Sequence, residues 1–196
     1  MTCDACGALV LSGGKGSRMG GVEKALLLLD GETILHRLER ELAPFSEKLL
    51  STNDPALARG TSFLPVADRR KGCGPLEGIA AALSAAQSPA LLVLPCDMPG
   101  YTAALGEWLL AQGREDWPAW VCKAADGLHP LCGVYRKAVL PCLDRCLEEG
   151  VFQVRRALER AGGRVLNTAG SPFPPEVFAN INTPEELERV SRGLSK

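Results

Sequence analysis

The chain has almost no net charge, few aromatic residues and no long hydrophobic run. Its formal charge is −1 over 196 residues, so no overall basic surface is available to hold nucleic acid. The longest apolar runs, such as 90–95, are far shorter than the roughly 20 residues that cross a membrane as a helix. The first residues also lack a basic region leading into an apolar stretch, so we expect no signal peptide. These absences predict a cytoplasmic protein with neither a nucleic-acid nor a membrane partner.

The eight cysteines do not form a pattern typical of a metal or redox site. Cys3-x-x-Cys6 has no second pair nearby, and it precedes the first predicted strand. Cys142 and Cys146 are one turn apart on a predicted helix whose leucines point the same way. We therefore interpret the cysteines mostly as free thiols that fill core positions.

Short apolar strands alternate with amphipathic helices, a pattern typical of an α/β fold with a mostly parallel sheet. The length fits a single domain, residues 1–196. The continuous apolar run 90–94 predicts a central buried strand, and Thr183-Pro184-Glu185-Glu186 has the capping-box pattern that begins a last helix. The predicted strands are 8–12, 48–51, 63–66, 90–94, 119–123, 131–135 and 164–167, and the other predicted helices are 33–42, 75–84, 138–149 and 154–161.

A glycine-rich segment, 11–21, follows the first strand. Its glycines allow backbone N–H groups to converge on an anion, and Arg18 adds a fork of donors that suits phosphate oxygens. Lys24 adds a further positive charge. A Walker A motif needs Ser or Thr where Gly16 stands, and the dinucleotide-binding motif needs glycine where Met19 stands. We therefore interpret the segment as a phosphate-binding loop of another kind.

Asp97 follows the buried strand 90–94 and lies between two prolines of the sequence 95–99. Ligands of open α/β sheets bind beyond the carboxyl ends of the strands. If the first strand and 90–94 are neighbours, the glycine-rich loop and Asp97 face one crevice, where a carboxylate beside phosphates is a natural Mg²⁺ ligand. The alternative is a local turn or helix cap.

Asp68 follows the strand 63–66 and should reach the same edge of the sheet. The basic segment 69–71 comes next, and it either closes over phosphates or forms a solvated loop. His129 has two readings as well: it faces the cleft ahead of a strand, or it packs in the core.

Together these motifs resemble the molybdenum cofactor guanylyltransferases over nearly the whole chain. The resemblance rests on the segment 11–24, Gly74-Pro75-Leu76-x-Gly78, Pro95-Cys96-Asp97, His129-Pro130-Leu131 and Asn180-Ile181-Asn182-Thr183-Pro184. It implies the nucleotide-diphospho-sugar transferase fold, a Rossmann-like three-layer sandwich with a mostly parallel mixed sheet. We expect a nucleotide-binding half at about 7–100 and an acceptor-binding half at about 101–196.

The resemblance and the chemistry of the glycine-rich segment together give a set of expected site residues. Arg18, Lys24 and Asp97 are the expected catalytic residues, with Asp97 as the Mg²⁺ ligand, and Asn180 and Asn182 lie on the pterin side. The expected cofactor-binding residues are Leu11, Ser12, Gly13, Gly14, Lys15, Lys24, Ser51, Asp68, Asp97, Asn180 and Asn182. The family often has an asparagine where Ser51 stands, and in this chain Asn53 follows two residues later.

The expected reaction is transfer of GMP from GTP to molybdopterin, with loss of pyrophosphate. A phosphate nucleophile is already ionised near neutral pH, so positioning and charge neutralisation are sufficient and no strong base is needed. This agrees with a chain that has only two histidines. Gly13 stands where related cytidylyltransferases have alanine, which leaves room for a purine.

Two other functions are also consistent with these motifs. One is a cytidylyltransferase or sugar-1-phosphate nucleotidyltransferase, and the other is a nucleotide- or cofactor-binding chaperone without catalysis. The expected partners are GTP and a molybdopterin-type cofactor, with molybdoenzymes or cofactor-insertion proteins as further candidates.

Overall fold

A seven-stranded sheet with helices on both faces organises the chain. The computed structural model describes residues 1–12, 23–181, 183 and 186–188. The strands are β1 Gly7–Leu11, β2 Leu28–Leu29, β3 Glu32–Thr33, β4 Lys48–Ser51, β5 Leu64–Val66, β6 Ala90–Pro95, β7 Ala119–Ala124, β8 Gly127–Arg136 and β9 Arg164–Asn167. The helices are α1 Ile34–Glu41, α2 Pro75–Ala85, α3 Ala103–Gln112, α4 Leu140–Glu148 and α5 Val154–Arg160.

The strand order in the large sheet is β5-β4-β1-β6-β8-β7-β9. Strand β8 runs antiparallel to both of its neighbours, and the other neighbouring pairs are parallel. Strands β2 and β3 form a separate antiparallel ribbon. The predicted fold class, a mostly parallel mixed sheet, is therefore confirmed.

Strand β1 is buried along its whole length because helices cover both faces of the sheet. Val10 belongs to an apolar cluster that includes side chains of α1 and α3. Leu9 and Leu11 belong to a second cluster on the other face, built with α2, α4 and α5. This alternation of side chains along β1 produces three layers, as the resemblance implied.

The central strands end together at one edge of the sheet. Leu11 aligns with Pro95 of β6 and with Ser51 of β4. The N–H of Cys96 donates to the oxygen of Leu11 over 3.0 Å, and the N–H of Ser12 donates to the oxygen of Ser51 over 3.1 Å. The expected proximity of β1 and the strand 90–94 is confirmed, so residues 12 and 96 lie side by side.

Helix α3 has no counterpart among the predicted elements. Gly106 lies in its middle, and glycine disfavours a helix by about 1 kcal/mol relative to alanine, which weakens the sequence signal. The structure supplies the reason for this glycine, because a Cβ atom there would collide with the hydroxyl of Tyr101. Tertiary packing therefore overrides local propensity at this helix.

The capping box at the last helix is confirmed. The N–H of Thr183 donates to Glu186 Oε2, and the N–H of Glu186 donates to Thr183 Oγ1, both over 3.2 Å. The apolar face predicted beyond Leu187 lies outside the described residues. Among the described helices, none is long and apolar enough to span a membrane.

Candidate active site

Two adjoining cavities open at the edge where the parallel strands end. The β6–β8 cavity, between the end of β6 and strand β8, has a volume of about 330 Å³. The β4–α2 cavity, between the end of β4 and the start of α2, has a volume of about 380 Å³. Leu11, Ser12 and Pro75 line both cavities. A ligand in one cavity therefore comes close to a ligand in the other.

A lysine–aspartate pair lies in the β6–β8 cavity. Lys24 Nζ is 2.8 Å from Asp97 Oδ2, and the two side chains are 22% and 19% exposed. Lys24 begins a short 3₁₀ turn, whereas Asp97 follows β6, so the pair joins residues 73 positions apart. The N–H of Ile181 donates to the backbone oxygen of Asp97 over 2.7 Å, and the preceding residue, Asn180, lines the same cavity.

Three polar atoms at this place are buried and have no hydrogen-bond partner within the described part of the chain. They are Ser12 Oγ, Asp97 Oδ1 and Asn180 Oδ1. Buried polar atoms are normally hydrogen-bonded, so a group of three beside a cavity indicates a ligand position.

These oxygen atoms are hard donors of the kind that Mg²⁺ prefers. The residues that the structure describes contain no group of three His, Cys, Asp or Glu side chains that could hold a metal. Mg²⁺ does not need such a group, because it commonly takes one or two carboxylates and completes its shell with phosphate oxygens and water. Asp97 therefore fits a cation that the protein shares with a bound phosphate.

The thiol of Cys96, beside this carboxylate, is a poor candidate for chemistry. Burial, and to a smaller extent the negative charge of Asp97, raise the pKa of Cys96 to about 12. The thiol therefore stays protonated at neutral pH, and a protonated thiol is neither a good nucleophile nor a metal ligand. Cys96 is best explained by packing, as the sequence predicts for most of the cysteines.

Gly78 shapes the wall of the β4–α2 cavity. A Cβ atom at this position would lie 2.5 Å from Ser51 Oγ and 3.1 Å from Leu11 Cδ2. The helix can approach β1 and β4 this closely only because residue 78 has no side chain. The start of α2 at Pro75 also lines the cavity, so the positive end of the helix dipole is available to an anion there.

Asp68 also lines this cavity, and it is held by Asn53, which lines the cavity as well. Asn53 Nδ2 donates to Asp68 Oδ2 over 2.9 Å, and the N–H of Asp68 donates to Asn53 Oδ1 over 3.1 Å. The sequence identified both residues but gave no sign that they contact each other.

Glu77 is a residue of the site region that the sequence did not reveal. Its carboxylate is completely buried and accepts hydrogen bonds from the backbone N–H and Nε of Arg69, over 3.0 and 2.9 Å, and from Arg70 over 3.2 Å. Both arginines also contact Asp144 of α4. The two arginines of the basic segment 69–71 are therefore not freely solvated, because they pair with carboxylates of α2 and α4. Closure of this segment over phosphates stays a prediction. The only sign of the pairing in the sequence is that Glu77 is a charged residue among the apolar residues at the start of α2.

His129 both packs against the core and lines the β6–β8 cavity. Its predicted position ahead of a strand is wrong, because β8 begins at Gly127 and includes it. The ring centroid is 5.9 Å from that of Phe178, and Nε2 is 2.8 Å from Asp126 Oδ1. The side chain is 12% exposed. The bulge between β7 and β8 near this point has no signature in the sequence.

The structure brings most of the predicted site residues around the two cavities. The predicted residues that line at least one cavity are Leu11, Ser12, Lys24, Ser51, Asp68, Asp97 and Asn180. The predicted residues Gly13, Gly14, Lys15, Arg18 and Asn182 lie outside the described residues.

A mostly parallel sheet with a glycine-rich segment after its first strand, and a carboxylate after the neighbouring strand, is typical of nucleotide-binding α/β proteins. Comparisons with known proteins narrow this class. The model of the MobA-like NTP transferase domain matches residues 8–165. The chain therefore belongs to the MobA-like NTP transferase family.

Relatives and solved structures agree with this assignment. A molybdenum cofactor guanylyltransferase of Pseudomonas aeruginosa (strain LESB58) is 34% identical over 187 residues, covering 93% of this chain and 92% of that relative. One of Cereibacter sphaeroides is 36% identical over 196 residues, covering 96% of each. The structure of molybdopterin-guanine dinucleotide biosynthesis protein A from Archaeoglobus fulgidus has a TM-score of 0.82 at 27% identity, covering 96% of this chain and 98% of that chain. The resemblance read from the motifs is confirmed.

Proposed function

We propose that the protein transfers GMP from GTP to a molybdopterin-type cofactor and releases pyrophosphate. The names of its relatives support this reaction. The observation that carries the proposal for this chain is the pair of cavities that adjoin at Leu11, Ser12 and Pro75. A two-substrate transfer needs both reactants to meet in one geometry, and the adjoining cavities provide it.

The guanosine end of GTP is assigned to the β4–α2 cavity. Its wall combines a short side chain, Ser51, with the bare backbone of Gly78, which leaves room for a purine base. Asp68 offers a carboxylate to the N–H or O–H donors of a nucleoside. The start of α2 favours the negative charge of the phosphates.

The acceptor is assigned to the β6–β8 cavity. Apolar side chains of β8 provide a surface for a flat pterin, and Asn180 Oδ1 is a buried acceptor for a pterin N–H group. Asn182 is expected on the same side. The division into a nucleotide-binding half and an acceptor-binding half stays a prediction.

Catalysis is assigned to the place where the cavities adjoin. The acceptor phosphate attacks the α-phosphorus of GTP, and the bond to pyrophosphate breaks. Lys24 holds negative charge on the triphosphate, and Arg18 and Lys15 are expected to act with it. Asp97 would hold Mg²⁺, which supplies charge neutralisation at the phosphate oxygens when bound. Dependence on Mg²⁺ and a cytoplasmic location stay predictions.

The test is pyrophosphate release from GTP, with molybdopterin and Mg²⁺ present, by the wild type and by Asp97→Asn. This variant keeps the shape of the side chain and removes its charge. We expect the rate to fall roughly a hundredfold or more. The free energy of unfolding should fall by only about 1 kcal/mol, because the ion pair with Lys24 is partly exposed. Asp116→Asn, which alters an exposed aspartate on a loop after α3, is the matched control and should keep full activity.

Three results would contradict the proposal. They are wild-type activity in Asp97→Asn, equal use of CTP, and nucleotide binding without pyrophosphate release when the acceptor is added. The second result favours a cytidylyltransferase, and the third favours a non-catalytic binding protein.

A further inference from the structure

We propose that Asn53 is a positioning residue for nucleotide binding, which acts by fixing the carboxylate of Asp68. The proposal rests on the proposed function, since it takes the β4–α2 cavity as the nucleoside site. Asn53 itself is exposed, and it follows the end of β4 by two residues. Two hydrogen bonds join the side chain of Asn53 to Asp68, one to its carboxylate and one to its backbone N–H.

Asn53 binds Asp68 at two points at once. The donor Nδ2 engages one carboxylate oxygen, Oδ2, and the acceptor Oδ1 engages the backbone N–H of the same residue. A single planar amide that satisfies both groups fixes the backbone and side chain of Asp68 together. The other carboxylate oxygen, Oδ1, receives no hydrogen bond from the residues that the structure describes, so it can accept one from a ligand.

The next residue is anchored from the other side. The backbone N–H of Arg69 donates to the buried carboxylate of Glu77 over 3.0 Å. Two consecutive backbone N–H groups, of Asp68 and Arg69, are therefore held by side chains from two different places, the loop after β4 and helix α2. This arrangement orders the segment before any ligand arrives, which lowers the entropic cost of binding.

The ligand chemistry that fits this carboxylate is an N–H or O–H donor on a nucleoside. Two parts of GTP carry such donors: the amino edge of guanine and the hydroxyls of ribose. A carboxylate oxygen accepts from either one. Asn53 has the same role in both cases, because it orients the carboxylate of Asp68 and does not itself have to touch the nucleotide.

The experiment is a double-mutant cycle on GTP binding, measured by titration calorimetry with Mg²⁺ present. Asn53→Ala should weaken binding about tenfold, as expected when a hydrogen bond to a charged group is lost. In an Asp68→Ala background, Asn53→Ala should have almost no further effect. Additive losses would mean that Asn53 touches the nucleotide itself, and unchanged affinity in Asn53→Ala would mean that the contact is merely structural; either result overturns the proposal.

Two controls make the outcome specific. Asn167→Ala removes another exposed asparagine with a local hydrogen bond, at the end of β9, and should leave GTP affinity unchanged. The nucleotide analogues inosine triphosphate and dideoxyguanosine triphosphate lack the base amino group and the ribose hydroxyls, respectively. Wild type should prefer GTP over one of them, and Asn53→Ala should lose that preference. If the preference survives in Asn53→Ala, the proposal is wrong.

The result also separates this inference from the proposed function. If the wild type binds GTP but the cycle is additive, only the role of Asn53 falls. If the wild type binds no GTP, the proposed function falls, and the role of Asn53 falls with it.

Discussion

The contact between Gly78 and Ser51 allows a prediction whose magnitude follows from the structure. In Gly78→Ala, the new methyl group lies 2.5 Å from Ser51 Oγ and 3.1 Å from Leu11 Cδ2. Overpacking of this kind costs about 1–3 kcal/mol. The helix gains about 1 kcal/mol when glycine becomes alanine. We therefore expect the free energy of unfolding to fall by about 0–2 kcal/mol, as measured by urea denaturation.

The effect on GTP should be larger than the effect on stability. The methyl group projects beside Ser51, on the wall of the β4–α2 cavity, where the nucleoside is assigned. We expect the Kd for GTP to rise roughly tenfold or more. The methyl group would take space that the nucleoside needs, and a steric conflict of this kind costs about 1–3 kcal/mol. Titration calorimetry of GTP with Mg²⁺ measures this change directly.

Two further variants separate folding from binding. Adding Ser51→Ala to Gly78→Ala removes the 2.5 Å contact, so stability should recover while GTP binding stays weak. Gly106→Ala is the matched control, because its new methyl group meets Tyr101 in a helix that does not line either cavity. It should lose stability and keep its GTP affinity. Normal GTP affinity in Gly78→Ala would refute the assignment of the nucleoside to this cavity.

Three other outcomes are expected. Lys24→Ala should weaken GTP binding and lower the rate in the same preparation; unchanged titration and turnover would refute its role. Arg69→Ala should lower the free energy of unfolding by about 1–3 kcal/mol in urea, because the buried carboxylate of Glu77 loses charged donors; no change would show that Glu77 does not depend on Arg69. Burial tends to raise the pKa of Glu47, but N–H donors of residues 87–88 outweigh it and hold the pKa below its usual value. This carboxylate therefore stabilises the fold fully above its unfolded pKa of about 4.3, and this stabilisation is lost as the pH falls from there through its lower folded pKa. The wild type should lose more stability than Glu47→Gln over this pH interval. Parallel plots of unfolding free energy against pH for the two proteins would contradict this.

The sequence predicts the fold well where the signal is local. Lys48–Ser51 is a short and mostly buried parallel strand with the predicted bounds. Arg164–Asn167, a mostly exposed strand at the edge of the sheet, also has the predicted bounds. The place where Lys24 meets Asp97 could also be predicted, because carboxyl ends of neighbouring parallel strands share one edge. The roles of these site residues stay predictions.

What the sequence could not predict depends on tertiary contacts. The sequence does not predict helix α3, because Gly106 fits the close packing against Tyr101 and lowers the helix propensity. Asn53 and Glu77 find their partners in the loop between β5 and α2, at Asp68 and at Arg69 and Arg70. Polar residues of a loop have no periodicity that would predict these pairs. Only the folded arrangement shows which carboxylates are already neutralised and which are available.

The polar atoms that lack a partner at the candidate site predict that ligands will stabilise the protein. In the described part of the chain, four buried polar side-chain atoms lack a hydrogen-bond partner, and those of Ser12, Asp97 and Asn180 lie together at the candidate site. An unsatisfied buried polar group costs about 1–3 kcal/mol, and a hydrogen bond from a ligand would offset that cost. A ligand that satisfies these atoms should raise the Tm, and the rise should grow with the logarithm of the ligand concentration above its Kd. GTP with Mg²⁺ should stabilise the wild type more than GTP alone, and Asp97→Asn should lose that difference. Equal stabilisation of both proteins would place the divalent cation away from Asp97.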